Sequence, residues 1–504
     1  MGDDLAHRMA GDLLRGPDPL GADWLAARAA ASPDALALVA GGRRWRYGAL
    51  DRAVSAMAGA LVLDGMLPGQ TVAALVANSP AAVFLVHAAA RVGLILAPLN
   101  TRLAAPELAG QLRHLGTSWL LYDGPFAAVA ESLARQLELE ARPLAALEAE
   151  SSWLTERISP EPAVQSILFT SGTSGAPKGV RLTYANHFWS AAASAFRLGL
   201  HPGERWLSVL PLHHVGGMAI LFRSVLYGTA VVLQERFDVD AFDAALDEEA
   251  ITMTSLVPTM LYRLLEARST WPDSLRLVLL GGAASSPELL EAAQRAGVPV
   301  APTYGLTEAA SQVATLPPDE VAAHPGSVGR PLLFTQVAVV DEAGERLPPG
   351  AYGEIVVRGP TVMAGYYENE AATARALRGG WLHTGDIGYL DDGGRLYVVQ
   401  RRHDVISSGG EKVYPTEVEA VLRRHPAVAA ACVVGAPDPE WGEQVAAMVV
   451  LAEDGALSEA QLGDYCRREL AGYKLPRRWK FVDALPQTAS GTVARAEVAA
   501  TFTN

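Results

Sequence analysis

A loop rich in small hydrogen-bond donors carries the first sign of chemistry in this sequence. Residues 167–180 read ILFTSGTSGAPKGV, where four Ser or Thr, three Gly and one Lys follow three apolar residues. Backbone N–H groups and hydroxyls in such a loop can wrap an anion, and Lys178 can add a point charge. The spacing does not fit GxxxxGK[ST], because Pro177 stands five positions after Gly172. A second strand pattern, GVRLTY, predicts a long hairpin loop. Composition alone leaves open whether the loop binds an anion or is an ordinary surface loop.

Composition limits the class of protein. The chain has 504 residues, half of them apolar, and this length predicts about three or four domains. Its formal net charge of −14 argues against a nucleic-acid partner. Two cysteines, Cys432 and Cys466, cannot form a disulfide framework and indicate a reducing compartment. The acidic N-terminus does not resemble a secretory signal. The most apolar stretch is interrupted by His87, Arg91 and Gly93. We therefore expect a soluble, cytoplasmic protein without stable membrane insertion.

Helical and strand patterns alternate over most of the chain, which predicts an α/β fold with parallel strands and crossover helices. From about Gly326 the pattern changes to short strands with Gly-bearing acidic turns. After QRRHD, the tail predicts helix, strand, strand, helix and strand. We expect a large N-terminal domain, residues 1–402, with doubly wound βαβ subdomains plus a β-rich subdomain. A small α+β C-terminal domain would follow at residues 403–504.

Eight motifs occur in a fixed order along the chain. They are TSGTSGAPKG, LPLHHVGG, LLGGAASS, TYGLTE, GEIVVRGP, WLHTGDIGYL, RRHDVISSGGEKVYPTEVE and GYKLPRRW. With them the sequence resembles the adenylate-forming superfamily of acyl-CoA synthetases, luciferases and peptide-synthetase adenylation domains, from about Leu20 to the C-terminus. Peptide-synthetase modules continue into a carrier domain, whereas this sequence ends at Asn504. The resemblance therefore implies a free-standing acid–thiol ligase that uses ATP, Mg²⁺ and coenzyme A and has small-molecule partners. A homodimer is one alternative for its assembly.

The resemblance assigns roles at the nucleotide. The loop would hold the β- and γ-phosphates, Tyr304 would stack on adenine, and Glu308 would hold Mg²⁺, which prefers oxygen ligands. Asp386 and Arg401 would bind the ribose. The implied ATP- or AMP-binding residues are Thr170, Ser171, Gly172, Thr173, Ser174, Gly175, Lys178, Gly282, Ala283, Tyr304, Gly305, Thr307, Asp386 and Arg401. Taken singly, Glu308 could be a solvated helix-start carboxylate, Asp386 a turn residue and Arg401 a surface charge.

The small domain would serve the thioester step. In the family it turns about a hinge, here His403 within residues 401–404. The loop at residues 407–415 would border the pantetheine path, with Ser408, Gly409 and Gly410 on the CoA side. An ordinary Gly-bearing turn before the helix PTEVEAVLRR is the alternative, and both interpretations can hold together.

One segment indicates which carboxylic acid would be the substrate. LPLHHVGGMAILFRSVLYG resembles the corresponding segment of 2-succinylbenzoate–CoA ligases of menaquinone biosynthesis. The implied acyl pocket contains His214, Gly216, Gly217 and Arg223, with Arg223 as a partner for charge on a diacid. A His and an Arg in an apolar stretch could equally be packed structural residues. Other aryl or medium-chain CoA ligases share the remaining motifs and stay an alternative.

One position departs from the family pattern. The implied catalytic set is Lys178, His214, Thr307, Glu308 and Thr492, but the family has Lys where this chain has Thr492. A short neutral hydroxyl cannot supply the charge that the Lys brings to the carboxylate and α-phosphate. An engineered substitution, a replacement cation such as Lys474 and an adenylate-binding protein with impaired adenylation all stay open. A carrier-protein acceptor is a further alternative.

Overall fold

Helices and strands alternate over the described residues between Trp24 and Leu198, as the periodicity predicts. The computed structural model describes residues 23–148, 154, 164–170, 177–201, 203–400, 405–452, 457–486 and 493–503. In chain order, the elements up to Leu198 are α1 (Trp24–Ala31), β1 (Leu36–Ala40), β2 (Arg43–Arg46), α2 (Tyr47–Leu63), β3 (Thr71–Leu75), α3 (Pro80–Val92), β4 (Ile95–Pro98), α4 (Ala105–Leu115), β5 (Trp119–Tyr122), α5 (Ala127–Leu137), β6 (Glu140–Pro143), α6 (Leu144–Glu148), β7 (Val164–Thr170), β8 (Lys178–Thr183) and α7 (Tyr184–Leu198).

Strands β3 to β8 form one sheet in the order β6-β5-β3-β4-β7-β8. All pairs are parallel except β7 and β8, which are antiparallel and place Thr170 opposite Lys178. The predicted hairpin on either side of the Ser/Thr/Gly-rich loop is therefore confirmed. Residues 171–176 of that loop lie outside the described residues.

A second sheet follows in the next part of the chain. Its further elements are β9 (Arg205–Ser208), α8 (Val215–Tyr227), β10 (Ala230–Leu233), α9 (Val239–Glu248), β11 (Met253–Leu256), α10 (Pro258–Ala267), β12 (Leu277–Leu280), α11 (Pro287–Arg295), β13 (Val300–Leu306), β14 (Ser311–Thr315) and β15 (Arg330–Pro331). The strand order is β15-β14-β13-β12-β11-β9-β10-β1-β2, with antiparallel pairs only at the two edges. Strands β10, β11 and β12 are buried at every position, as expected for parallel strands covered on both faces.

The predicted β-rich region forms a separate antiparallel sheet. Its elements are β16 (Gln336–Val340), β17 (Gly353–Arg358), α12 (Glu370–Ala376), β18 (Leu377–Arg378), β19 (Trp381–Leu390) and β20 (Leu396–Gln400). The core strands follow the order β16-β17-β19-β18, and β20 pairs with β19. The acidic Gly-bearing turn between β19 and β20 closes through a hydrogen bond from the Gly394 N–H to the Asp391 carbonyl.

The tail contains the predicted helix, strand, strand, helix and strand, with two additions. Its elements are β21 (Ile406–Ser408), β22 (Glu411–Val413), α13 (Pro415–Arg423), β23 (Val428–Asp438), β24 (Gly442–Leu451), α14 (Glu459–Glu469), β25 (Arg478–Phe481) and α15 (Arg495–Ala500). The β21–β22 hairpin and α15 were not expected from the sequence. The last sheet begins at Ile406 and the β-rich sheet ends at Gln400, whereas Arg402 lies outside the described residues, so the domain boundary stays a prediction. We call residues 23–400 the large part and residues 405–503 the small part.

Helices α2 and α3 lie at the centre of the hydrophobic core. Val54 and Leu61 on α2 and Ala88 and Val92 on α3 are fully buried. The same cluster of contacting apolar side chains extends into strands of the first two sheets, so these sheets form one packed body. Within the described ranges, none of the helices combines the length and apolar character needed to cross a membrane.

Candidate active site

A cavity of about 510 Å³ lies between the large and small parts. This volume is within the range of small-molecule sites in proteins. The residues expected from the sequence that line it are Thr170, His214, Gly216, Arg223, Gly282, Gly305, Thr307 and Gly410. The structure therefore brings together residues from the phosphate-loop strand, the acyl segment, TYGLTE and the CoA-side loop.

The other expected residues fall into two groups. Those that the structure describes outside the cavity lining are Lys178, Gly217, Ala283, Tyr304, Glu308, Asp386, Ser408 and Gly409. Those that lie outside the described residues are Ser171, Gly172, Thr173, Ser174, Gly175, Arg401, His403 and Thr492. Their roles stay predictions from the resemblance.

Tyr366 connects the expected phosphate-binding lysine with the expected metal-binding glutamate. The Lys178 ammonium lies 5.1 Å from the Tyr366 ring centroid, and the Tyr366 hydroxyl donates to Glu308 Oε1 at 3.0 Å. Burial and Glu308 both raise the pKa of Tyr366, so the hydroxyl stays a donor. Glu308 is half-buried and its carboxylate has further acceptor capacity, so it fits a hard cation such as Mg²⁺. No pattern in the sequence singled out Tyr366.

Tyr304 and Asp386, both expected at the nucleoside, are bonded to each other. The Tyr304 hydroxyl donates to Asp386 Oδ2 at 2.6 Å, and the tyrosine ring is 4 % exposed. This ring belongs to the main hydrophobic core. Its contact with adenine stays a prediction, whereas its role in orienting the Asp386 carboxylate follows from the hydrogen bond.

The glycines of the CoA-side loop are required by contacts within the protein. A Cβ on Gly409 would lie 2.7 Å from the Trp441 ring, and one on Gly410 would lie 3.0 Å from Val257. Both residues also have positive φ, +59° and +84°. Packing and backbone conformation therefore suffice to explain glycine at both positions. Because Gly410 lines the cavity, the expected CoA-side role is compatible with this packing.

Arg223 is a buried cation on the cavity wall. It lies on α8, whose sequence is apolar around most of its circumference, and the whole residue is 1 % exposed. Its Nη2 lies 3.5 Å from the Ser190 hydroxyl and 3.4 Å from the Ser311 hydroxyl, and the guanidinium faces the Trp206 ring at 5.7 Å. Within the described residues no carboxylate pairs with it, and its Nε has no hydrogen-bond partner. Burial lowers the pKa of the guanidinium.

Burial of the Arg223 guanidinium costs free energy unless an anion pairs with it. A buried charge is normally paired, because transfer from water to a protein interior costs several kcal/mol. Arg223 follows His214 by nine positions, about 13 Å along the helix axis. The cavity thus presents a cation on the helix and a histidine at the N-terminus of that helix.

Glu411 is a site residue that sequence reasoning missed. It follows the two glycines of the CoA-side loop and is 6 % exposed. Its carboxylate meets the large part through Arg102 Nη1 at 2.9 Å and His214 Nε2 at 3.3 Å. Burial alone would raise the pKa of Glu411, but His214, His213 and Arg102 lower it to about 2. The residue is therefore ionised and joins the two parts beside the acyl segment.

Lys474 is the second charged contact between the two parts. Its ammonium lies 2.5 Å from Glu107 Oε1 of α4 and 2.8 Å from Glu417 Oε1 of α13. Although burial alone would lower the pKa of Lys474, the two carboxylates raise it. In this arrangement its charge is already committed to protein partners. The geometry therefore gives no support to Lys474 as the replacement for a family lysine at position 492.

Family comparison agrees with the geometry of the cavity. Residues 25–367 match the family described as AMP-binding enzyme, and residues 417–492 match the AMP-binding enzyme C-terminal domain. The chain belongs to the AMP-binding enzyme family. Its mixed α/β large part and α+β small part are the fold of this family. The resemblance inferred from the ordered motifs is confirmed.

Among members of the AMP-binding enzyme family, the chain is similar to a 2-succinylbenzoate–CoA ligase from Bacillus licheniformis. The two are 42 % identical over 479 residues, covering 94 % of this chain and 98 % of the relative. Two solved structures of o-succinylbenzoate CoA synthetase from Bacillus subtilis are also similar, each 39 % identical. A double mutant bound with the product analogue OSB-NCoA has a TM-score of 0.90, covering 94 % of this chain and 98 % of that chain. The complex with the acyl-adenylate intermediate OSB-AMP has a TM-score of 0.74, with 95 % and 98 % covered.

Proposed function

We propose that this chain is an ATP-dependent 2-succinylbenzoate–CoA ligase of menaquinone biosynthesis. It would join the acid to coenzyme A through an acyl-adenylate and release pyrophosphate and AMP. The observation that carries the choice of acid is Arg223, a buried guanidinium without a described carboxylate partner on the cavity wall. Identity of 42 % with a 2-succinylbenzoate–CoA ligase over nearly the whole chain supports the reaction class.

Two carboxylates on the acid account for the arrangement of the pocket. One carboxylate reacts, and the other needs a partner when it is buried. The planar guanidinium of Arg223 can donate two parallel hydrogen bonds to a carboxylate, and the nearby Ser190 and Ser311 hydroxyls can add to these. A monoacid would leave the cation unpaired. The pocket thus favours a diacid over a simple aryl or medium-chain acid.

The residues of this chain would then divide the first step among them. The reacting carboxylate oxygen attacks the α-phosphorus of ATP, and pyrophosphate leaves. Lys178 and the Thr170 end of the loop would bind the leaving phosphates, and Thr307 would donate to the α-phosphate. Glu308 would hold Mg²⁺, which neutralises phosphate charge when bound. Asp386, oriented by Tyr304, would accept the ribose hydroxyls.

In the second step the CoA sulfur attacks the acyl carbonyl carbon, and AMP leaves. Gly410 and Glu411 bring the small part to the cavity, and Glu411 holds His214 at 3.3 Å. The relative with a bound product analogue has the higher TM-score, 0.90 against 0.74. We infer that the small part of this chain lies in the arrangement that serves the thioester step.

The test is a thioester assay with ATP, Mg²⁺, free CoA and a panel of acids. We expect CoA thioester from 2-succinylbenzoate and little from benzoate or a medium-chain fatty acid. Thioester from the monoacids at equal efficiency would contradict the assignment of the acid. Adenylate without transfer to free CoA would favour a carrier-protein acceptor instead.

Assembly and location stay predictions. Both cysteines, Cys432 and Cys466, are buried and unbridged, which fits a reducing compartment such as the cytoplasm. A homodimer is the assembly to test, by sedimentation velocity at several protein concentrations. A sedimentation coefficient that stays at the value for one 53.2 kDa chain would contradict it.

A further inference from the structure

Two histidines and a glutamate meet where the large and small parts touch. His213 and His214 precede α8, and Glu411 belongs to β22 of the small part. One potential ligand atom from each side chain lies within 4.8 Å of the other two. His214 Nε2 and Glu411 Oε2 are separated by 3.3 Å. All three residues line the cavity, so a small ion could reach them from it.

His213 lacks a described partner for one ring nitrogen. The residue is 8 % exposed, and its Nε2 is buried without a hydrogen-bond partner among the described residues. Imidazole is the commonest metal ligand among protein side chains. A buried ring nitrogen without a partner, in a residue of this cluster, is the second sign of a ligand site.

We propose that His213, His214 and Glu411 bind one zinc-like divalent ion that bridges the two parts of the chain. Two imidazoles and a carboxylate are a known Zn²⁺ ligand set, with the fourth position left open. Bond lengths of about 2.0–2.2 Å at tetrahedral angles place neighbouring ligand atoms roughly 3.3–3.5 Å apart. The His214–Glu411 separation of 3.3 Å already meets this requirement. The remaining separations are at most 4.8 Å, so the His213 ligand atom would have to move closer by no more than about 1.5 Å.

Arg102 orients the Glu411 carboxylate without being a metal ligand itself. It donates to Glu411 Oε1 at 2.9 Å, whereas His214 meets Oε2, so the two carboxylate oxygens have separate partners. A hydrogen-bonded carboxylate is held in a fixed orientation, as ligating carboxylates usually are. The nitrogen ligands distinguish this site from the expected Mg²⁺ position at Glu308, because Mg²⁺ prefers oxygen.

The ligand set predicts what the ion does. Two ligands come from the large part and one from the small part, so bound Zn²⁺ would favour the arrangement in which the parts are in contact. Separation of the parts would remove a ligand and release the ion. The proposal does not rest on the identity of the acid, and its failure would leave the proposed function untouched.

The experiment is calorimetric titration of the full chain with ZnCl₂ in a chelator-free buffer containing excess MgCl₂. We expect one equivalent of Zn²⁺ to bind. The substitutions Glu411→Gln and His213→Gln should each weaken binding by roughly tenfold or more, since even loss of an outer partner has that effect. His201→Gln and Glu497→Gln change a histidine and a glutamate that are exposed and outside the cavity lining, and should leave binding unchanged.

A second measurement identifies the ligands directly. Co²⁺ in place of Zn²⁺ should give the intense visible absorption of a four-coordinate site, and this absorption should disappear in Glu411→Gln. Melting temperatures verify that each variant is folded, and His214→Gln replaces His213→Gln if the latter does not fold. The proposal is overturned if the parent chain binds no Zn²⁺, or if all variants bind it equally.

Discussion

The ammonium of Lys474 lies 2.5 Å from Oε1 of Glu107, joining the small part of the chain to helix α4 of the large part. Both side chains are at most 10 % exposed. Glu107 uses its second oxygen to accept a hydrogen bond from the Ala471 N–H at 2.7 Å. Glu107 therefore binds both the backbone at Ala471 and the ammonium of Lys474 in the small part.

We predict that Glu107→Gln weakens the docked arrangement and slows the thioester step. Removing a partner from a buried charge costs up to about 3 kcal/mol. The cost is lower here, because Lys474 keeps its second carboxylate partner, Glu417 Oε1, at 2.8 Å. Water that enters as the parts separate also lowers this free-energy cost. The measurement is the reaction of supplied acyl-adenylate with CoA, with the exposed Glu140→Gln as control. An unchanged rate would show that the pair does not hold the arrangement used for this step.

Arg223→Met should act on the diacid more than on a monoacid. The substitution keeps an unbranched side chain but removes the charge that would pair with the second carboxylate. Loss of a charge-assisted contact worth about 1.5–3 kcal/mol predicts a roughly ten- to hundredfold lower kcat/KM for 2-succinylbenzoate. The comparison substrate is 4-oxo-4-phenylbutanoate, which lacks the ring carboxylate. If both acids lose equally, Arg223 has only a packing role.

Glu308→Gln should raise the Mg²⁺ concentration needed for half-maximal adenylation. The amide retains the shape of the side chain but removes the negative charge that a hard cation prefers. Tyr366→Phe removes only the hydroxyl that bonds to Glu308 Oε1, so its effect should be in the same direction and smaller. Superimposable Mg²⁺ titrations for parent and Glu308→Gln would contradict the metal assignment.

Thr492→Lys should accelerate the first step and leave the second nearly unchanged. In the family the lysine acts during adenylation, and its loss is comparable to removing one oxyanion-type contact, about 2.7–4 kcal/mol or roughly a hundred- to a thousandfold in rate. Both half-reactions are measured in both forms, with chemically supplied adenylate for the second. Fast adenylation by the parent would mean that another cation replaces the lysine. Failure of supplied adenylate to react would favour an adenylate-binding protein.

His187 should make the large part sensitive to acid. Burial, with a further contribution from Arg223, lowers the pKa of this histidine from 6.5 to about 3. Between these values the unfolded chain binds a proton that the native chain does not, so the free energy of unfolding falls as pH falls below 6.5. The slope for one histidine is about 1.4 kcal/mol per pH unit, and there is no effect above pH 6.5.

The matched variant is His187→Gln, which removes the titration and can retain a hydrogen bond with Ser166. The free energy of unfolding is measured with urea at several pH values between 7 and 5. Its decrease with falling pH should correspond to about one proton fewer bound on unfolding than in the parent. His201→Gln, at an exposed position, is the control. A slope that does not change in His187→Gln would mean that the residue is not buried as a neutral ring.

The parts of the fold that were predictable depend on local patterns. LVLL in β12 and AVVL in β10 are continuous apolar runs, and burial of such runs on both faces is what a parallel sheet requires. The motif residues Thr307 and Gly410 were predictable for a different reason, because the resemblance places them by order in the chain. Both lie on the cavity.

The contacts between the two parts were not predictable in this way. Arg102 and Glu411 are 309 positions apart, and Glu107 and Lys474 are 367 positions apart. Each of these residues is an ordinary charged side chain in its own segment, and its partner is determined only when the parts dock. Periodicity reports which face of an element is buried, but it does not report which distant charge meets it.

The shared walls of the cavity have a consequence for inhibitor discovery. Arg223 and Thr307 line it from the large part, and Gly410 and Tyr473 line it from the small part. A compound that fills this space would contact both parts and stabilise their association within a single chain. Its escape would require the two parts to separate, so its residence time would follow that motion more than the number of its contacts. Screens that measure dissociation rates would therefore rank such compounds more faithfully than screens at equilibrium.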